Sequence, residues 1–205
     1  ACSIFCQCIS NNKSPKYVFF IIGDGMGVNQ VLGTQMYVAE KEGKIGRKEL
    51  SFTSFPQTTM ASTYSQYNAV TCSAASGTAL ACGEKTKNGA IGMDSLLSKP
   101  LFSVAQKLRQ QGKNVGIVTS VSIDHATPAA FYAHQPHRSM YYDIALDAAK
   151  SDFDFFGGAG FLQLQKDSNS VNVLTILRDS NYFIAKGIEE YNRNHEKIVL
   201  LQDFE

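Results

Sequence analysis

Long apolar runs and an excess of either charge are both missing from this sequence. Its strongest apolar run, Tyr17 to Ile22, lies between Lys16 and Asp24 and is far shorter than the roughly 20 residues that span a bilayer. Lysine and arginine together number 19, aspartate and glutamate 18, and both signs are interspersed along the chain. We therefore predict no transmembrane segment and no basic face that would bind nucleic acid or a membrane surface.

Cysteine is scarce and odd in number. Cys2, Cys6 and Cys8 lie within the first ten residues, whereas Cys72 and Cys82 lie in the interior of the sequence. A total of five excludes a fully paired set of disulfides within one chain.

Residues 1–16 are predicted to form a flexible segment, in which a small apolar stretch runs into a polar linker. Two interpretations stay open: the remnant of a secretory signal or lipoprotein region, with Cys6 or Cys8 as a lipid attachment point, and an ordinary flexible terminus. The first interpretation predicts an exported protein that is periplasmic, extracellular or lipid-anchored at the cell surface.

Residues 17–205 are predicted to form part of a single α/β domain, because 205 residues with 44% hydrophobic content can bury one good core. Short β-branched or aromatic runs alternate with helical patterns, which is typical of parallel βαβ units. We expect a three-layer α/β/α fold with a mostly parallel central sheet. The predicted strands are residues 17–22, 115–119, 153–156, 182–185 and 198–201, with one or two edge strands within 50–71. The predicted helices begin near Asn29 and then cover residues 73–82, 101–108, 140–148, 173–177 and 188–191.

The last predicted strand has no helix after it to cover the sheet. This pattern predicts a natural polypeptide that continues beyond Glu205, so that the chain represents a truncated domain.

Two positions are candidates for chemistry, since ligands of open α/β sheets bind beyond the carboxyl ends of the strands. Asp24 directly follows the first predicted strand, between Gly23 and Gly25, although aspartate is also a common turn residue. Ser73 begins a predicted helix of small residues, where free amides and the helix dipole favour a phosphate dianion and the serine alkoxide. A serine there can equally be an N-cap, and the local pattern alone favours the cap.

Five segments carry more information together than singly: residues 19–27 (FFIIGDGMG), 71–79 (TCSAASGTA), 84–94 (EKTKNGAIGMD), 123–130 (IDHATPAA) with His137 and Arg138 after it, and 154–160 (DFFGGAG). In this order they resemble the amino-terminal half of the alkaline phosphatase family. The resemblance covers nearly the whole chain from Tyr17 to Phe204 and is highly specific, because five segments match in sequence order.

The resemblance implies a phosphomonoester hydrolase that works through a phosphoserine on Ser73, with two zinc ions and one magnesium ion. By the same resemblance, Asp24 bridges one zinc and the magnesium, and Thr127 gives its hydroxyl to the magnesium shell. Arg138 holds two non-bridging phosphate oxygens, while His125 lies near the magnesium but outside its ligand set. Relatives of this kind are commonly homodimers and act on phosphate monoesters.

The sequence departs from the family pattern in two respects. Cys72 replaces the aspartate that usually precedes the nucleophile, so we expect Arg138 to be less restrained and phosphate binding to be weaker. The remaining zinc and magnesium ligands of the family lie in its second half, and His134 and His137 do not match them, although their spacing would suit a metal if they lay on one helix.

Two other functions stay open at this point. One is a non-catalytic α/β fragment that at most binds phosphate or a partner. The other is a related metal-dependent phosphodiesterase or sulfatase, which Ser73 disfavours. We expect the 205-residue chain by itself to be inactive.

Overall fold

The sheet of this protein is parallel. The structure is a computed structural model that describes residues 15–202, and these divide into two units, residues 15–61 and residues 62–202. The second unit contains four strands in the spatial order β1-β2-β4-β3. Every neighbouring pair is parallel, so the predicted α/β class with a parallel sheet is confirmed. The strands are β1 (Gly116–Val118), β2 (Phe155–Gly158), β3 (Phe183–Lys186) and β4 (Ile198–Leu201).

Helices precede or connect these strands. In the first unit, α1 (Val28–Lys41) begins after Gly27, whose backbone amide donates to Gln30 Oε1. The second unit contains the other five helices: α2 (Ser73–Cys82), α3 (Val104–Gln110), α4 (Ala126–Ala129), α5 (Tyr141–Lys150) and α6 (Val173–Asp179). None of the helices in residues 15–202 combines the length and the apolar character needed to cross a membrane.

Two predicted stretches of strand are wrong. Residues 17–22 take no strand conformation, because an apolar run predicts burial but does not itself supply the neighbouring backbone that a strand needs. Residues 50–71 form a 3₁₀ turn at Ser51–Ser54 and otherwise irregular structure. In that turn the hydroxyl of Thr53 donates to the Leu50 carbonyl, and this local bonding competes with a strand ladder.

Five of the six predicted helices are present as α-helices. The predicted helix at residues 188–191 is a 3₁₀ turn, Ile188–Glu190, and the short helix α4 was not predicted. Pro128 lies in the first turn of α4, where its missing amide removes no intrahelical bond. The predicted flexible segment at residues 1–16 lies almost wholly outside the described residues.

Aromatic side chains from β2 and its neighbours form the core beside the sheet. Phe153, Phe156 and Tyr132 are almost completely buried, and the rings of Tyr132 and Phe156 meet edge to face at 5.3 Å. At the carboxyl end of β2, a Cβ on Gly158 would lie 2.9 Å from the carbonyl oxygen of Val121. Glycine therefore lets the loop that follows β1 approach β2 closely, and that loop leads into the candidate site.

An ion-pair cluster joins α3 to the amino-terminal ends of β1, β2 and β4. Arg109 donates to Asp152 at 2.9 Å and to Asp154 at 3.1 Å, and Lys197 also pairs with Asp152. Asp154 in turn accepts from the Val115 amide at 2.7 Å. The Lys197 ammonium has the largest effect and lowers the pKa of Asp152; burial opposes it, Arg109 lowers the pKa further, and the net pKa is lowered.

Arg109→Ala is expected to lower the free energy of unfolding by about 1–3 kcal/mol, because it removes charge-assisted hydrogen bonds to two carboxylates. Since the pKa of Asp152 is lower in the folded state, this contribution is present above the ordinary aspartate pKa and disappears as pH falls through the lowered value. Urea unfolding at several pH values measures both effects. Lys150→Ala is the control, since Lys150 is exposed and lies 3.8 Å from Asp147; an equal loss in both variants would contradict this account.

Candidate active site

Ser73 is the first residue of α2 and is half-buried. Cys72 is the N-cap residue in an extended conformation, so the structure does not place Ser73 at the N-cap. The helix buries small residues on the side that meets α4, where a Cβ on Gly77 would lie 3.0 Å from Ala130 Cβ. The helix ends at Gly83 with φ +76°, as the sequence predicted. This packing fixes α2 with the Ser73 hydroxyl at its positive end.

Cys72 has an electrostatic environment that favours its thiolate. Its sulfur accepts a hydrogen bond from the Gly89 amide at 3.2 Å. Burial raises the pKa of the thiol, but the amides of Ala75, Gly89 and Ala74 and the positive charge of Arg138 outweigh burial, and the net pKa is lowered. The residue that replaces the expected aspartate is therefore biased towards the same negative charge.

The side chain of Arg138 is half-buried and contacts the ring of His125. Arg138 Nη2 lies 3.2 Å from His125 Nε2, and because a guanidinium only donates, Nε2 is the acceptor. The Arg138 backbone amide also donates to the Gly89 carbonyl at 2.8 Å. His125 thus orients the guanidinium from one side, a restraint that the sequence-based expectation of a loosely held Arg138 did not include.

His125 and Thr127 reach this region through α4. His125 is the N-cap residue of α4, and Thr127 lies in its first turn. The hydroxyl of Tyr132, just after α4, donates to the Ile123 carbonyl just before it at 2.6 Å. Since α4 packs against α2, four of the predicted residues, Cys72, Ser73, His125 and Arg138, belong to one region of the second unit.

Asp124 is a buried carboxylate that sequence reasoning passed over. It is completely buried, and its Oδ2 accepts from the amide of Leu162 at 2.8 Å, which joins the loop after β1 to the loop after β2. Its Oδ1 is also buried and has no hydrogen-bond partner among the described residues. Burial raises the pKa of Asp124 and outweighs the bonds from Ser122, Leu162 and Gln163. The available signal was its position between the strand predicted at residues 115–119 and the Ala-Thr-Pro sequence of residues 126–128.

Asp24 lies in the first unit, in a tight turn. The Met26 amide donates to the Gly23 carbonyl at 3.2 Å, and Gly25 has φ +70°, a conformation that favours glycine at the third position of the turn. The Asp24 side chain is exposed. The turn that the glycine-flanked sequence indicated is present, and the role of Asp24 as a metal ligand stays a prediction.

His134 and His137 have hydrogen-bond partners within the protein. Gln106 Nε2 donates to His134 Nε2 at 2.8 Å, so the proton of the ring is on Nδ1, which donates to the Gly92 carbonyl at 2.8 Å. His137 Nδ1 lies 2.7 Å from the hydroxyl of Ser139. Neither histidine lies in a helix, so their spacing does not place them on one helical face.

The donor set for a metal ion is small within residues 15–202. In this range no group of three or more histidine, cysteine, aspartate or glutamate side chains is close enough to hold an ion. The resemblance supplies the Asp24 carboxylate and the Thr127 hydroxyl, whereas a zinc site uses about three protein ligands or more. The described residues therefore do not fit a complete zinc site.

Cys72 is expected to react with iodoacetamide at least about tenfold faster than Cys82 at pH 8, because the thiolate is the reactive form. The pKa of Cys82 is raised to about 11, mainly by burial, and its sulfur donates to the Leu101 carbonyl at 3.3 Å. Timed quenching and fragment mass spectrometry give both rates, with the chain in denaturant as the control in which the rates converge. Faster alkylation of Cys82 in the folded chain would contradict the lowered pKa of Cys72.

The family model for alkaline phosphatase matches residues 15–158. The chain belongs to the alkaline phosphatase family. Alkaline phosphatase 4 of Drosophila melanogaster is 38% identical over 152 residues, which are 70% of this chain and 26% of that protein. Alkaline phosphatase of Gadus morhua is 31% identical over 152 residues, which are 69% of this chain and 32% of that protein.

Solved alkaline phosphatases share the fold. The enzyme of the Antarctic bacterium TAB5 is 31% identical with a TM-score of 0.70, over 82% of this chain and 50% of that one. A TAB5 mutant with aspartate in place of a histidine, solved with Mg bound in its M3 site, has a TM-score of 0.71 at 29% identity, over 82% and 49% of the two chains. The chain thus spans about a quarter to a third of these curated relatives and about half of these solved structures. Membership of this alkaline phosphatase family supports a phosphatase function.

Proposed function

We propose that this protein is a phosphomonoester hydrolase in which Ser73 forms a phosphoserine intermediate. The observation that carries the proposal is the position of Ser73 in the first turn of α2, beside a residue whose thiol lies in the field of Arg138. A nucleophile, the positive end of a helix and a guanidinium are groups that favour phosphoryl transfer to serine. The proposal concerns the whole protein, with two zinc ions and one magnesium ion whose ligands extend beyond Asp24 and Thr127.

The side chains suggest the following chemistry. Arg138 binds two non-bridging oxygens of the phosphate through its planar fork. The Ser73 oxygen attacks phosphorus, the bond from phosphorus to the alcohol oxygen breaks, and the hydroxyl proton leaves Ser73 as the alcohol takes up a proton. Water then attacks phosphorus and loses a proton, the bond from phosphorus to the Ser73 oxygen breaks, the Ser73 oxygen takes up a proton, and inorganic phosphate is released. The amino-terminal amides of α2 stabilise the negative charge that develops near Ser73 in both steps.

The substrates we propose are phosphate monoesters, because Ser73, Arg138 and the first amides of α2 would all act on the phosphoryl group. We also propose export to the periplasm, the extracellular space or the cell surface, and assembly as a homodimer. Light scattering of the whole protein and fractionation of its source cells test these two parts.

Acid quenching tests the phosphoserine directly. The whole protein, loaded with zinc and magnesium, is mixed with a phosphate monoester at acid pH, where hydrolysis of the intermediate is slow, and is then digested and mapped by mass spectrometry. We expect phosphate on Ser73. Phosphate on Ser76 or Thr71 instead, or turnover at acid pH with no phosphorylated residue, would refute the assignment.

A second candidate function is phosphate binding without turnover, which the small donor set within residues 15–202 favours for this chain alone. We expect the 205-residue chain to show no hydrolysis of p-nitrophenyl phosphate with added zinc and magnesium, and no stoichiometric zinc after dialysis. Elemental analysis and the assay measure both. Stoichiometric zinc together with turnover that Ser73→Ala abolishes would refute this expectation.

A further inference from the structure

A single side-chain amide holds the backbone that leads into Ser73. Asn88 Oδ1 accepts from the Cys72 amide at 3.1 Å, and Asn88 Nδ2 donates to the Val70 carbonyl at 3.0 Å. The donor and the acceptor of one residue thus occupy an amide and a carbonyl two residues apart. This is the pair of contacts that a neighbouring strand would make with an extended segment.

Gly89 extends this contact towards the phosphate-binding arginine. Its amide donates to the sulfur of Cys72 at 3.2 Å, and its carbonyl accepts from the Arg138 amide at 2.8 Å. Gly89 has φ +91°, and a Cβ there would lie 2.9 Å from the His137 ring. The pair Asn88 and Gly89 therefore contacts both the residue before Ser73 and the backbone of Arg138.

We propose that Asn88 is a positioning residue for Ser73, which it holds in register with Arg138 through the backbone of Cys72 and through Gly89. This inference rests on the proposed function of Ser73 and deepens it. The middle of α2 is fixed by the close approach of Gly77 to α4, whereas Asn88 holds the backbone just before the helix from outside the helix.

The expected effect follows from the geometry of in-line attack. A displacement of about 1 Å at the reacting atoms can cost about a hundredfold in rate. Asn88→Ala removes both backbone contacts and allows Cys72 and Ser73 to shift away from Arg138. We therefore expect kcat to fall by about tenfold to a hundredfold in the metal-loaded whole protein, with a smaller change in KM.

The thiol of Cys72 reports the same shift in the 205-residue chain without any turnover. Asn88→Ala is expected to slow iodoacetamide alkylation of Cys72 at pH 7 by about fivefold, because the hydrogen bond from Gly89 that favours the thiolate weakens. Asn172→Ala is the matched control: Asn172 Oδ1 accepts from the Leu174 amide at 2.8 Å and caps α6. The control should lose comparable stability while the reactivity of Cys72 and kcat stay unchanged.

The outcomes separate the inference from the proposed function. An unsubstituted whole protein that turns over no phosphate ester refutes the proposed function, whatever the thiol does. In an active enzyme, unchanged kcat in Asn88→Ala, or an equal fall in Asn172→Ala, overturns the inference. If Asn88→Ala does not fold, amide hydrogen exchange in the unsubstituted chain tests the same contact. We expect the Cys72 amide, which donates to Asn88, to be protected from exchange. Exchange at the rate of an unprotected amide overturns the proposal.

Discussion

Ser73→Ala in the metal-loaded whole protein is expected to reduce turnover by about a thousandfold or more while the protein stays folded. Covalent catalysis needs the hydroxyl, and the next two residues of α2, Ala74 and Ala75, carry no side-chain oxygen. The cost in stability is small, because Cys72 rather than Ser73 is the N-cap residue and alanine is a good helix former. Initial rates with p-nitrophenyl phosphate and a circular dichroism spectrum measure the two effects.

Ser76→Ala is the matched control for this experiment. Ser76 lies one turn along the same helix, and its hydroxyl donates to the Cys72 carbonyl at 3.0 Å. It shares the chemistry of Ser73 but is bonded to its own helix, so we expect less than about a tenfold change in turnover and about 1 kcal/mol of stability. Turnover that survives in Ser73→Ala but is lost in Ser76→Ala would move the nucleophile to Ser76.

Gly92→Ala is expected to cost more than about 4 kcal/mol of unfolding free energy, enough to prevent folding in a protein of ordinary stability. Gly92 has φ +56°, and a Cβ there would overlap the Ala133 carbonyl oxygen and lie 2.9 Å from His134 Nδ1. The surrounding groups are held in place: the Gly92 amide donates to Thr78, the Gly92 carbonyl accepts from His134, and the Ala133 amide donates to the Ala129 carbonyl at 2.7 Å. Urea unfolding or, if the variant is insoluble, the yield of folded chain measures the loss.

Gly83→Ala separates crowding from backbone strain. Gly83 also has a positive φ, +76°, but a Cβ there would meet nothing within 4 Å. We expect a loss of about 1–2 kcal/mol, the cost of the left-handed conformation for an L-residue. Equal losses at Gly83 and Gly92 would show that the contact with Ala133 gives way and that only the conformation matters.

The parallel sheet was predictable because its strands are short apolar runs between helical patterns. β4 was predicted at its observed bounds. β2 lies two residues later than predicted, because Gly157 and Gly158 continue the strand where glycine usually ends one. The run at residues 17–22 has the same composition and forms no strand. Composition predicts that a segment is suited to burial, whereas strand pairing depends on which backbone lies beside it.

Asp24 and Ser73 were candidates because of their places after a predicted strand and at the start of a predicted helix, and the other predicted site residues came from the resemblance. The contacts of these residues could not be read from the sequence. Cys72 and Arg138 are 66 positions apart, and nothing in the spacing shows that Arg138 donates to His125 or that the pKa of the Cys72 thiol is lowered. Asn88 was part of a matched segment, but an asparagine before a glycine is first of all typical of a turn. Hydrogen bonds from a side chain to distant backbone depend on tertiary packing. The contacts of Asn88, Arg138 and Cys72 are therefore known only from the structure.

The two bonds of Gly89 join the backbone of Arg138 to the sulfur of Cys72, next to the start of α2. We expect a displacement of the Arg138 backbone to carry the start of α2 with it. With Arg138 and Ser73 in their proposed roles, this coupling would keep the distance between the guanidinium and the serine hydroxyl nearly constant while phosphate binds.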